Sequence, residues 1–152
     1  AVLVLVHHGE AVSDELDTQR PLSPRGLAGA ERLATAVRAR GVVPACVWHS
    51  GKMRARQTAE AFWRICSTQA AFAAIRGLQP TDNAEMLRTL MADEARVICV
   101  VGHFPHLPRA LSLLTTGIDD AGAVFPPHGL VVLERDDVLR WREVWRLGED
   151  GV

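Results

Sequence analysis

Residues 1–10 read AVLVLVHHGE. Six apolar positions in a row, half of them β-branched, suit a strand covered on both faces, as in a parallel sheet. The strand-like run Ala1–Val6 ends directly on His7-His8. Two later runs do the same: Ala45–Trp48 (ACVW) leads into His49-Ser50, and Val97–Val101 (VICVV) into Gly102-His103. Open parallel sheets bind ligands in the crevice at the carboxyl ends of their strands. Three histidine-bearing strand ends can therefore meet at one pocket.

The segments between these runs have helical signals. Ser23-Pro24 reads as an N-cap followed by proline at the first helical position. A helix is expected from Pro24 to Arg40, with Leu27, Ala30, Ala34 and Val37 on one face and Gly41 closing it. Met53–Ser67 has helical spacing in Thr58, Ala61, Phe62 and Ile65. Ala71–Arg76 reads as a short strand, and Ala84–Ala92 as a short helix packing Leu87, Leu90 and Met91. Pro105–Leu114 is expected to be a helix. Leu130–Glu134 and Leu139–Trp145 flank Asp136-Asp137. The second run puts Leu139, Trp141, Glu143 and Trp145 in phase with one another, which suggests an antiparallel hairpin at a sheet edge. Strand alternating with helix implies a three-layer α/β/α sandwich around a mostly parallel sheet.

The chain has 152 residues, 48% hydrophobic and 23% charged. This composition fits one domain, residues 1–152, able to bury a core without metal or disulfide staples. A formal net charge of −1 gives no whole-protein attraction to nucleic acid or an anionic membrane, so any affinity for anions is local. No apolar run approaches the length of a membrane span. The short apolar start has no basic flank and reads as a strand rather than a secretion signal, so a cytoplasmic location is expected. None of Cys46, Cys66 and Cys99 has arginine six positions on, where Lys52, Phe72 and Pro105 stand. That disfavours a thiolate phosphatase. Gly51-Lys52 lacks the upstream glycine of a P-loop.

Three sites carry chemistry. In His7-His8-Gly9-Glu10, a neutral imidazole can attack phosphorus if one ring nitrogen keeps its lone pair while the other donates to a fixed acceptor. Ser50 and Arg54 lie where a strand end meets a helix start, and the Arg54 guanidinium matches phosphate oxygens in pairs. Lys52 and Arg56 are expected on the solvated face. In Gly102-His103-Phe104-Pro105-His106, His103 stands at a strand end and can donate to a phosphoryl oxygen. His49, His106 and His128 have no assigned role and are expected to be structural or solvent-facing.

Taken in order, these motifs resemble the histidine phosphatase superfamily, in particular its short SixA-like phosphohistidine phosphatase branch. The family's Arg-His-Gly-Glu reads His7-His8-Gly9-Glu10 here. Its Arg-Pro-Leu-(Ser/Thr)-x-x-Gly reads Arg20 to Gly26, its Ser-x-x-x-Arg-Ala-x-Gln-Thr reads Ser50 to Thr58, and its Gly-His-x-Pro reads Gly102 to Pro105. The resemblance implies a phosphoglycerate mutase-like fold and a phosphatase that works through a covalent phosphohistidine on His8. It implies phosphate binding by His7, Arg20, Arg54 and His103, with Arg54 and His103 also stabilising charge. No cofactor or metal is implied. The partner would be a phosphorylated protein, with phosphohistidine favoured, or a small phosphate ester. Nothing in the sequence fixes the oligomeric state.

His7 departs from the family, whose arginine is always charged and forked. A cationic His7 beside a bound dianion would recover part of the lost stabilisation. Alternatively, the chain is a weak or inactive phosphate-binding module. The general acid is open among Glu85, Asp82 and Glu10. A metal-dependent hydrolase built on His103 and His106, joined by His7 and His8, is a further alternative, although no carboxylate cluster accompanies these histidines.

Overall fold

The computed structural model describes residues 1–136 and 140–152. The elements in chain order are β1 (Val2–His7), α1 (Pro24–Ala39), β2 (Cys46–His49), α2 (Met53–Cys66), β3 (Ala71–Ala74), α3 (Ala84–Met91), β4 (Val97–Gly102), α4 (His106–Thr116), β5 (Leu130–Arg135) and β6 (Trp141–Leu147). The expected Asp137 turn residue and Leu139, the start of the last expected strand, lie outside the described residues.

All six strands join one sheet in the order β3-β2-β4-β1-β5-β6. β1, β2, β3 and β4 run parallel, whereas β5 is antiparallel to β1, and β6 to β5. β1 is flanked by β4 and β5, and Leu3, Val4, Leu5 and Val6 are wholly buried. Each such side chain taken out of water contributes about 1.5–3 kcal/mol, which is why the unbroken apolar run occupies the middle of the sheet. Leu3 and Leu5 face the layer formed by α3 and α4. Val4 and Val6 face the layer formed by α1 and α2. The result is the expected three-layer α/β/α sandwich.

The helices begin where the sequence signals them. The Ser23 side chain accepts from the Gly26 N–H at 3.0 Å, and Pro24 opens α1. Asn83 caps α3 by accepting from the Glu85 N–H at 2.9 Å. Two expected core positions prove exposed. Leu27 and Leu90 each lie 42% open; on α1, Gly26, Gly29 and Leu33 join the expected Ala30, Ala34 and Val37 in the buried stripe, and on α3 Leu87 and Met91 are buried as expected. The stripe of α1 is displaced because its inward positions include glycines, which a hydrophobic pattern does not register.

The phase of the last strand also differs from expectation. The β5–β6 register shifts between Val132 and Leu133: Val132 pairs with Trp145 but Leu133 pairs with Glu143. The extra residue, Val144, reverses the alternation. Trp141 therefore joins the α3–α4 side of the core, and Trp145 packs on the α1–α2 side.

Candidate active site

Strand register brings the site together. His7 pairs with Gly102 across β1 and β4, and His49 pairs with Val101 across β2 and β4. His8, Ser50 and His103 consequently leave the sheet at the same level. β5 runs the other way, so its beginning lies at this same end: Val6 pairs with Leu130, and the His7 N–H donates to the Gly129 carbonyl at 2.9 Å. His128 is delivered to the site by that reversal. Arg54 stands in the first turn of α2.

His8 is held in the form a nucleophile needs. Its Nδ1 lies 2.7 Å from the Gly9 carbonyl oxygen, which can only accept, so Nδ1 carries the proton and Nε2 keeps its lone pair. Burial lowers its pKa to about 4. The Gly9 hydrogen bond acts against that shift, and Arg54, His128 and Arg20 reinforce it. The neutral imidazole is therefore the ground state. The turn that follows is anchored from α2, since the Gly9 N–H donates to Thr58 Oγ1 at 3.0 Å and that hydroxyl donates to the Arg54 carbonyl at 2.8 Å. Glycine is required at position 9 by close packing. A Cβ there would lie 2.7 Å from the Gly26 carbonyl oxygen, and one on Gly26 would lie 1.9 Å from that of Glu10.

His7 is buried and neutral with no anion beside it. Its Nδ1 accepts from the His128 main-chain N–H at 2.7 Å, which places its proton on Nε2. Burial, then repulsion from His8, His128, His103 and Arg54, pushes its pKa down to about 2. The ring is stacked between Phe104, at 4.0 Å and 5°, and His128, at 4.7 Å and 15°. It can offer one uncharged donor where an arginine would offer a charged fork.

His103 is 1% exposed, and its ring lies 5.1 Å from that of His8. Its Nε2 is 2.6 Å from Ser50 Oγ. Burial, then His8, Arg54, Lys52 and His106, lowers its pKa to about 3. The His103 Nδ1 and the Arg54 Nε are buried without a protein partner. Buried polar atoms are normally satisfied, so these two are suited to receive a ligand's oxygens. Arg54 acts electrostatically on His7, His8 and His103, and Arg20 on both His8 and Arg54. Arg20 has φ 48° and donates from Nε to the Val12 carbonyl at 3.2 Å. These groups together can bind a phosphoryl dianion, with the His8 lone pair available to attack it.

The carboxylates considered from sequence are all engaged. The two Glu10 oxygens lie 3.3 Å from Ser23 Oγ and 3.5 Å from Arg25 Nε. Glu85 takes both arms of Arg88, at 2.8 and 2.9 Å, on the surface of α3. Asp82 accepts from the Gln79 N–H at 2.9 Å. Arg56 pairs with Glu60 at 3.1 Å on the exposed face of α2. His49 accepts from the Gly51 N–H at 3.0 Å, a structural role.

His128 is the residue that sequence reasoning missed. Besides its main-chain bond to His7, its Nδ1 donates to the His8 carbonyl at 2.7 Å. Nitrogens of His7, His8 and His128 lie within 4.8 Å of one another. They do not suit a three-imidazole metal centre, because Nδ1 of His7 is occupied by the His128 N–H and Nε2 carries the proton. The near-parallel stack also keeps the in-plane lone pairs of His7 and His128 from converging. Among the described residues, His103 and His106 belong to no metal-ligating cluster.

Comparisons with known proteins bear on the family and the fold. The pattern of the histidine phosphatase superfamily (branch 1) matches residues 3–75. The structure of the protein histidine phosphatase SixA complexed with tungstate superposes with a TM-score of 0.84 at 19% identity, covering 98% of this chain and 97% of that one. The Agrobacterium tumefaciens protein assigned as the phosphohistidine phosphatase SixA has a TM-score of 0.79 at 28% identity, with 97% of each chain covered. A phosphoserine phosphatase of Entamoeba histolytica, in complex with phosphoserine, has a TM-score of 0.73 at 14% identity over 99% and 98%. No curated protein matches the chain at a significant level. Among the described residues, no helix is long and apolar enough to cross a membrane. Residues 3–75 thus match the histidine phosphatase superfamily (branch 1), and the chain is similar in fold over its whole length to the SixA structures.

Proposed function

We propose that the protein is a phosphatase in which His8 Nε2 accepts the phosphoryl group and water then releases it as inorganic phosphate. The observation that carries this reading is the 2.7 Å contact between His8 Nδ1 and the Gly9 carbonyl, which fixes the nucleophilic tautomer. Arg54, Arg20, His103 and His7 would surround the phosphoryl oxygens. Most of the catalytic effect would come from positioning and fixed donors. No step requires a cofactor.

The favoured substrate is phosphohistidine on a protein. The 28% identity to a chain assigned as SixA supports it. So does the short stretch between α2 and β4, which holds only the four-residue β3 and the eight-residue α3 and so leaves the site open to a bulky substrate. Small phosphate esters are the alternative substrates.

The test is an acid-labile, base-stable label on His8 after brief reaction with a radiolabelled phosphohistidine protein, lost in His8→Ala. Turnover that persists in His8→Ala would refute the assignment. The neutral, stacked His7 favours one second reading, a module that binds phosphate without turnover. Tight phosphate binding with neither label nor turnover would establish it.

A further inference from the structure

We propose that His128 is the proton-transfer residue of this site, giving a proton to the leaving atom and later taking one from water. The proposal rests on the assignment of His8 as the phosphoryl acceptor.

His128 occupies an unusual place. Pro126, Pro127, His128 and Gly129 form a tight turn closed by the Gly129 N–H donating to the Pro126 carbonyl at 3.0 Å. His128 is its third residue, with φ 52°. A turn with a left-handed third residue ordinarily takes glycine or asparagine. A β-carbon in that conformation is disfavoured, and such departures concentrate where a side chain has a task. Here the backbone directs an imidazole toward the nucleophile.

The ring is held on one side only. Nδ1–H donates to the His8 carbonyl, so Nε2 is the nitrogen left to gain or lose a proton. The rings of His128 and His8 lie 5.8 Å apart at 59°. His128 is half-buried, whereas His7, His8 and His103 are buried. Of these four imidazoles it is the one most open to solvent, and the proposal sets its Nε2 beside the leaving atom. Glu10, Asp82 and Glu85 are held by other partners, and the side chains that act electrostatically on His7, His8 and His103 are cations and imidazoles.

The steps balance. In the first, the bond from His8 Nε2 to phosphorus forms as the bond from phosphorus to the ester oxygen, or to the substrate's imidazole nitrogen, breaks. The leaving atom takes the proton from Nε2 of the His128 cation, which becomes neutral. In the second, water attacks phosphorus while His128 Nε2 takes its proton. The bond to His8 breaks, and its electron pair returns to His8 Nε2.

The variant His128→Asn tests this. Asparagine can place an N–H where Nδ1–H stands and tolerates the left-handed backbone, but it cannot donate an acidic proton. Leaving-group dependence is the readout, because simple misplacement of His8 would slow every substrate alike. His128→Asn should slow an alkyl phosphate by about 10²-fold or more, and p-nitrophenyl phosphate, whose leaving group needs no proton, at least tenfold less. The label on His8 from p-nitrophenyl phosphate should persist. Equal losses on the two substrates, or no loss, would overturn the proposal. Wild-type protein gives an independent test: its rate of His8 phosphorylation should vary little across a series of leaving groups, and a steep dependence would overturn the proposal even if the variant does not fold. An unlabelled wild-type His8 would instead remove the nucleophile assignment on which it rests.

Discussion

The main-chain N–H of His128 donates to Nδ1 of His7 across 2.7 Å. An amide nitrogen cannot reverse this role, so the direction of the bond is fixed by chemistry. Charging His7 would require protonating the atom that accepts this bond, and the ring is already packed against Phe104 and His128. His7 therefore contributes a neutral donor.

Neutral histidines predict a silent titration. The pKa values of His7, His8 and His103 are lowered to about 2, 4 and 3. Their imidazole nitrogen shifts, followed by NMR in ligand-free protein, should stay in the neutral range from pH 8 to pH 5. Titration of His8 near pH 6.5 would show that its lone pair is not protected by burial.

The same shifts link folding to pH. Each of these groups binds a proton near pH 6.5 when unfolded but only well below that when folded. The unfolded state therefore holds more protons in the window from about pH 6.5 down to the folded values. Stability is full above pH 6.5 and falls with decreasing pH, by as much as ~1.4 kcal/mol per pH unit for each group. Urea denaturation at pH 5.0 and 7.5 should show a lower midpoint at pH 5.0, and the difference should shrink in His7→Phe. A pH-independent midpoint would contradict the buried, neutral state.

Restoring charge at position 7 should tighten anion binding. A guanidinium can stack on the Phe104 ring as the imidazole does, and a charged hydrogen bond is about 1 kcal/mol stronger than a neutral one. His7→Arg should bind tungstate or inorganic phosphate roughly five- to tenfold more tightly by calorimetry, with a steeper dependence on salt. Unchanged affinity would mean that position 7 does not face the anion.

Ser50 should act through His103. Its hydroxyl lies 2.6 Å from His103 Nε2, and a hydrogen bond of this kind contributes about 0.5–1.5 kcal/mol. Ser50→Ala should lower kcat/KM by roughly two- to tenfold with a melting temperature close to that of the wild type. A full wild-type rate would show that His103 is oriented without it.

The parallel half of the sheet and the three histidine-bearing strand ends were legible because each depends on a local pattern, an apolar run ending in polar residues. His8, Ser50, Arg54 and His103 inherit their convergence from strand register, which parallel pairing makes nearly automatic. His128 was hidden because its place depends on the direction of β5 and on a left-handed turn, both non-local consequences of packing. The neutral state of His7 was illegible for a related reason, since burial and the rings and guanidinium around it decide it, and its tautomer is set by an amide 121 residues away. Trp141 and Trp145 were put in one phase because a one-residue bulge leaves no mark in an alternating pattern.

The contact between Gly9 and Gly26 gives the last prediction. The loop after His8 crosses the first turn of α1 backbone against backbone, and the Ser23 N–H donates to the Glu10 carbonyl at 2.9 Å. A methyl group at Gly26 would fall 1.9 Å from that carbonyl oxygen, where no flexible side chain can yield. Gly26→Ala must therefore displace either α1 or the loop. Overpacking of this kind typically costs 1–3 kcal/mol, so the urea midpoint should fall accordingly. Because the Gly9 carbonyl fixes the His8 tautomer, labelling of His8 should fall as well, under conditions where the variant is still folded. Gly29, also on α1, is the control: a Cβ there would meet only the Arg32 side chain, at 3.9 Å. Gly29→Ala should keep both stability and labelling. Equal behaviour of the two variants would refute the role given to this crossing.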